Sequence, residues 1–325
     1  MQRLCSVITG LFALTAAMWV APPAIGQSYP ARPVRLVVPF APGGGTDVIA
    51  RSVAQHLSKA LGGSVVVENR AGAGGTIGSD AVAKAAADGY TLLMATNATM
   101  ALAPGLYAKL GYDPVRDFAP VALVATGPSI LVTHPQLPVT DTAGLIAYAK
   151  AHPGALNFGS AGNGSMAHIA TSLFGQVSGT RATHIPFKGG AMAVQELVAG
   201  RLQFMIAGPV ETIPLIQSGH LRALAVTTAS RFAGLPALPP LADSLAGFDI
   251  VNWYAVVAPA GAPPDIIATL AGHVRSMIGQ KDVQELLLRQ GVEARAMDGP
   301  ALRDFVRDET VKWTRAVRQM AITSE

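Results

Sequence analysis

Short β-branched runs alternate with helical patterns through most of this chain, and that alternation limits the fold more than any other feature. Val34–Phe40 reads as a buried strand, and Asp47–Leu61 as a helix with Val48, Ile49, Val53, Leu57 and Leu61 turned inward. Further strands are expected at Val65–Glu68, Tyr90–Thr96, Ala122–Ala125, Ile130–Thr133, Thr183–Phe187, Gln203–Ala207 and Ala223–Thr228. Helices fall between several of them, at Ser79–Ala87, Ala143–Ala151, Met166–Val177 and Ala191–Ala199. A βαβ rhythm of this kind predicts an α/β fold with parallel sheets covered on both faces by helices. From Pro263 onward the chain changes character. Three amphipathic helices close it, and they need a sheet to cover; the first half supplies one, reached by a crossover near Asn252–Tyr254.

The first residues carry a separate signal. Arg3 is the only charge before an apolar run from Val7 to Val20, which Pro22 and Pro23 break ahead of Ala24-Ile25-Gly26. A basic start, a short apolar run and a small-x-small site describe a cleaved secretory signal peptide, and the run is short for a membrane span. The one cysteine, Cys5, lies inside that segment, so the mature chain is expected to hold no disulfide and no cysteine metal site. The remainder, about 300 residues, suits two domains of about 150. The expected division is 1–26 signal peptide, 27–125 plus 252–325 a first lobe, and 126–251 a second. The 24 basic and 20 acidic side chains are scattered, with no basic stripe of the kind that reads nucleic acid.

Three strand-to-helix junctions carry the chemistry. Pro39-Phe40-Ala41-Pro42-Gly43-Gly44-Gly45-Thr46-Asp47 lets the backbone turn sharply and approach a guest, and Thr46 or Asp47 can cap the helix that follows. The orphan amides there, with the positive end of the helix dipole, favour an anion. The dipole supplies only ~0.3–2 kcal/mol, so several charge-assisted hydrogen bonds of ~1.5–3 kcal/mol each must do the holding. A glycine-rich βα turn with no ligand fits the same spacing. In the second junction, Asn157 to Ser165, the groups of Ser160, Asn163 and Ser165 sit beside flexible backbone; Ser165 also suits a helix cap, and His168 either faces a cleft or packs. In the third, Ile185 to Gly190, Lys188 either meets an anion or lies solvated at a rim.

Catalytic and cofactor patterns are missing. Gly72–Gly78 reads G-x-G-G-x-x-G, with Ile77 where a dinucleotide fingerprint needs its third glycine. Gly159-Ser160 lacks the spacer of a nucleophile elbow, no lysine completes a phosphate loop, and the seven histidines show no compact metal spacing. No cofactor and no metal site is expected.

Taken in order, the segments Val38–Asp47, Val67-Glu68-Asn69-Arg70, Ala87–Leu92, Asp117–Pro120, Ser160–Gly164, Pro186–Gly190 and Gly219–Val226 make the sequence resemble the Bug/TctC family of extracytoplasmic solute receptors, linked to tripartite tricarboxylate transport. The resemblance implies a two-lobed periplasmic-binding-protein, or Venus-flytrap, fold with a ligand in the cleft and no catalytic residues. It implies that Phe40, Ala41, Gly43, Gly44, Gly45, Thr46 and Asp47 hold a carboxylate through backbone amides, aided by ordered water. The Ser160–Ser165 loop then closes from the other lobe, with Thr96 and Asn97 as further contacts. Two departures stand out: Phe187 where many relatives have tyrosine, and Ala207 where many have an acidic residue. The loss at Ala207 points to a ligand without an ammonium group. The expected function is capture of a small carboxylate by a periplasmic monomer, for delivery to a membrane permease or a sensor. The alternative is an exported enzyme acting on a small carboxylic acid, with Asp47 and His168 as its acid–base pair.

Overall fold

The computed structural model describes residues 29–319, so the expected signal peptide lies outside the described residues. In chain order the elements are β1 (Val34–Val38), α1 (Gly45–Leu61), β2 (Val65–Asn69), α2 (Thr76–Ala83), β3 (Thr91–Thr96), α3 (Ala103–Leu106) and β4 (Phe118–Pro128). Then come β5 (Ile130–Thr133), α4 (Thr142–Ala151), β6 (Asn157–Ser160), α5 (Met166–Ser178), β7 (Thr183–Pro186), α6 (Gly190–Val198), β8 (Phe204–Ala207), α7 (Pro209–Gln217) and β9 (Arg222–Val226). The chain ends with β10 (Val251–Pro259), α8 (Pro264–Ile278), α9 (Lys281–Arg289), β11 (Glu293–Asp298) and α10 (Gly299–Gln319).

The strands segregate into two sheets. One has the order β11-β4-β10-β3-β1-β2, the other β7-β6-β8-β5-β9. The chain passes from the first to the second between Pro128 and Ile130 and returns between Val226 and Val251. Neither sheet is wholly parallel, which corrects the expectation from the βαβ rhythm. β10 runs antiparallel to β3 and β4, β11 runs antiparallel to β4, and β5 runs antiparallel to both β8 and β9. The reason lies in the crossings: β5 and β10 enter their sheets from the other lobe and not from a covering helix, so the right-handed βαβ connection does not set their direction.

One apolar cluster runs through both lobes, and each lobe adds a second cluster on the other face of its sheet. β1 is buried on both faces, with Val34, Leu36 and Val38 in one apolar cluster and Val37 in another, as a central parallel strand should be. α1 lays Ile49, Val53 and Leu57, spaced four apart, against that sheet and ends at Gly62 in the left-handed conformation. α10 packs Leu302, Val306, Trp313 and Val317 into the same lobe. In the second lobe Ile130, Val132, Met205 and Leu197 form a separate cluster.

The two crossings are stitched by polar side chains. Thr227 Oγ1 accepts from Ser129 N–H and donates to the Ile250 carbonyl, each at 2.8 Å. Asn252 Nδ2 donates to Ser129 Oγ at 2.8 Å, and Asn97 Nδ2 donates to the Val251 carbonyl at 3.2 Å. Buried backbone that leaves one sheet for another must find such partners or lose stability.

Candidate functional site

A cavity of about 90 Å³ opens between the lobes, just beyond the stitched crossings. The first lobe contributes Phe40, Ala41, Gly44, Gly45 and Thr46 from the β1–α1 turn, Thr96, Asn97 and Ala98 after β3, and Asn252 and Tyr254 from β10. The second contributes Ala161, Ser165, Met166 and Ala167 at the start of α5, Gly190 at the start of α6, and Met205, Ile206, Ala207, Gly208 and Glu211 around the β8–α7 junction. Ser129 sits at the crossing itself. Helix starts therefore face one space from both lobes, above an apolar wall of Met205, Ile206 and Ala207.

The structure gathers nine of the sequence-derived site residues around this space: Phe40, Ala41, Gly44, Gly45, Thr46, Thr96, Asn97, Ser165 and Ala207. It places the others elsewhere. Asn163, Phe187 and Lys188 line a second hollow that shares Phe40 and Ala161 with the first. Ser160 Oγ lies 2.7 Å from His184 Nε2 and is fully buried. His168 accepts the Gly164 N–H at Nδ1, 3.2 Å away, and stacks on His184 with ring centroids 4.0 Å apart. Burial lowers the proton affinity of His168. For His184 burial, followed by the neighbouring His168, lowers the pKa to about 4. Burial thus favours the neutral form of both rings.

Asp47 points away from the cavity. Its Oδ2 accepts from the Gly43 amide at 3.0 Å and from Arg51 Nε at 2.8 Å, while Oδ1 accepts from Asn69 Nδ2 at 2.9 Å. Burial pushes its pKa upward, but the hydrogen bonds from Arg51, Gly43 and Asn69 together hold the carboxyl below its ordinary range. With Asp47 so engaged and His168 bonded to Gly164, the expected acid–base pair is not assembled. Ser165 does cap α5, accepting from the His168 N–H. The cap of α1 is Gly44, not Thr46 or Asp47.

The anion seat also needs correction. Sequence reasoning left the amides of the β1–α1 turn free for a guest, yet Asp47 takes the Gly43 amide and Glu211 Oε1 takes the Gly45 amide at 3.0 Å. Among the described residues, the Thr46 and Asp47 amides keep no partner. At the end of β3 the Thr96 hydroxyl is buried with no hydrogen-bond partner, although Thr96 lines the cavity. An orphaned buried hydroxyl is costly, and a ligand oxygen would satisfy it.

Glu211 is the residue sequence reasoning missed. It stands at the third position of α7, one turn after Gly208, where a glutamate reaches back toward the cap amide, and the Gly208 amide lowers its pKa. The same carboxyl crosses the cleft to Gly45, so two helix starts converge on it. Burial raises its pKa, opposed by the Gly45 and Gly208 amides. Tyr254 is likewise raised, by burial first and Glu211 second, and stays neutral. The usable signal was the Gly208-Pro-Val-Glu211 spacing, a capping box with glycine in place of serine.

Comparison with known proteins agrees with this architecture. A family model described as “TctC: Tripartite tricarboxylate transporter family receptor” matches residues 49–322. Protein BugT of Bordetella pertussis is 41% identical over 325 residues, covering 98% of each chain. A Rhodopseudomonas palustris protein solved with adipate is 37% identical, with a TM-score of 0.85 over 90% of this chain and 98% of its own. MatC from the same species, solved with malate, is 33% identical, with a TM-score of 0.83 over 89% of this chain and all of its own.

Proposed function

We propose that this chain, which belongs to the tripartite tricarboxylate transporter family of receptors, captures a small carboxylated solute between its lobes outside the cytoplasmic membrane and delivers it for uptake or sensing. The observation that carries this reading is the interlobe cavity, where the unpartnered Thr46 amide and the orphaned Thr96 hydroxyl both await an acceptor or donor. A carboxylate bridging them would be held by directed hydrogen bonds near the start of α1, and the Met205–Ala207 wall would take an apolar body. The adipate and malate held by two structural relatives support an acid as the guest. The proposed lobes are residues 27–125 with 252–325 and residues 126–251; the strand membership of the two sheets supports a two-lobed division with the first crossing a few residues later, between Pro128 and Ile130.

Capture proceeds by closure. A ligand shifts an open–closed equilibrium only by its greater affinity for the closed form, and this cavity has walls from both lobes only when they meet. The partner is a membrane permease of the tripartite type or a sensor protein, the receptor acts as a monomer, and it reaches its compartment through the N-terminal signal segment. A thermal-shift screen of small carboxylic acids tests the reading. A true ligand at a hundred times its Kd stabilises the fold by about 2.7 kcal/mol. If no acid raises the melting temperature while neutral solutes do, the carboxylate reading fails.

A further inference from the structure

Among the residues that line the cavity, Glu211 is the only charged one. It is intermediate in exposure by area because it lines the cavity, yet its carboxyl is deeply desolvated. The surroundings are shaped for it. A β-carbon on Gly190 would lie 2.4 Å from Oε1, one on Gly44 3.1 Å from the same oxygen, and one on Gly208 3.1 Å from Oε2. Three glycines from the two lobes thus leave a slot that the carboxyl fills, and the Gly45 amide hydrogen-bonds it there at 3.0 Å.

That slot is one place in the cavity where a backbone amide at a helix start could receive an anion; the Thr46 amide with the Thr96 hydroxyl is another, and the starts of α5 and α6 also border the space. We infer that Glu211 restricts this receptor to ligands with a single carboxylate, because the protein's own carboxyl already fills the slot between Gly44, Gly190 and Gly208 beside the Gly45 amide. This rests on the carboxylate reading above and narrows it. A second ligand carboxylate would have to displace Glu211 or sit beside its buried carboxyl in a space with no lysine or arginine among its walls to offset the charge. A neutral, apolar remainder meets no such obstacle and lies against Met205, Ile206 and Ala207.

The test compares unbranched monoacids of three to eight carbons with diacids of matching length, by calorimetric titration of the full mature chain. In the wild type the best monoacid should bind at least tenfold more tightly than its diacid. In Glu211→Gln, which keeps the shape and removes the charge, that gap should close to within threefold. In Glu211→Ala, which empties the seat, the diacid should gain outright. Thermal melts of both variants verify that they are folded. A wild type that binds diacids as well as monoacids overturns the inference, as does a gap unchanged in both folded variants. An ω-amino acid that outbinds every monoacid and loses that advantage in Glu211→Gln also overturns it, since Glu211 would then be a partner for a cation. Those results leave the carboxylate reading standing. Failure of every acid to bind in all three proteins defeats that reading and this inference together.

Discussion

Asp47 shows how a residue beside the cavity serves it without touching a guest. Its two oxygens tie Gly43, Arg51 and Asn69 together and fix the turn from which the Thr46 amide projects. Asp47→Ala leaves those donors without their acceptor, and a loss of about 2–4 kcal/mol in urea unfolding is expected. Because the folded carboxyl sits below its unfolded value, its stabilisation is complete at neutral pH. It is lost as pH falls from about 4 through the folded value. His184 works in the opposite chemical sense but in the same direction. Its folded pKa of about 4 lies below the unfolded value near 6.5, so the unfolded chain binds the extra proton. Stability should therefore decline as pH falls from about 6.5 toward 4, and His184→Gln should flatten that part of the profile. Denaturant midpoints across pH 3.5–7.5 for both proteins check the sign. Neither role was legible in the sequence, because a lone histidine and a lone aspartate gain their partners only when distant segments meet.

At the scale of elements, legibility followed local pattern. β5 was read with its observed bounds, because Ile130–Thr133 is a compact β-branched run. α7 was missed; it carries two prolines, of which Pro209 sits in the first turn where its missing N–H costs nothing, and Pro214 lies inside the helix. Missing α7 meant missing Glu211. β11 was missed because Glu293–Asp298 alternates only with alanines and holds no β-branched residue; it is an edge strand with no fully buried side chain. α10 was read correctly as amphipathic, but its anchor was hidden. Glu309 Oε2 accepts from the indole N–H of Trp253 at 3.3 Å and of Trp313 at 3.1 Å, pinning the helix to β10. Both tryptophans are almost fully buried. Glu309→Ala should cost about 1–3 kcal/mol by leaving two indole donors unsatisfied, and hydrogen exchange should rise first along α10.

At the scale of the whole molecule, the lobes meet at points outside the cavity. Gly74, at φ +63°, lies so close to the second lobe that a β-carbon there would fall 2.7 Å from the Asn163 carbonyl oxygen. Gly74→Ala should strain the turn and hold the lobes apart. The expected result is ligand affinity reduced severalfold, with a larger radius of gyration in solution scattering and unchanged secondary structure. The two-sheet architecture was readable from alternating strands and helices, but the mixed strand directions were not, since direction at a crossing is set by where the chain returns from.

The stitched crossings carry a consequence for how such a receptor changes over generations. Ser129 and Asn252, joined by a 2.8 Å hydrogen bond, lie at the two crossings between the lobes and also line the cavity between them. A substitution there alters taste and gait at once. Lineages that shift diet by editing this pair must retune how readily the jaws swing, whereas edits along the Met205–Ala207 wall leave the crossings untouched. New preferences should accumulate on that wall first.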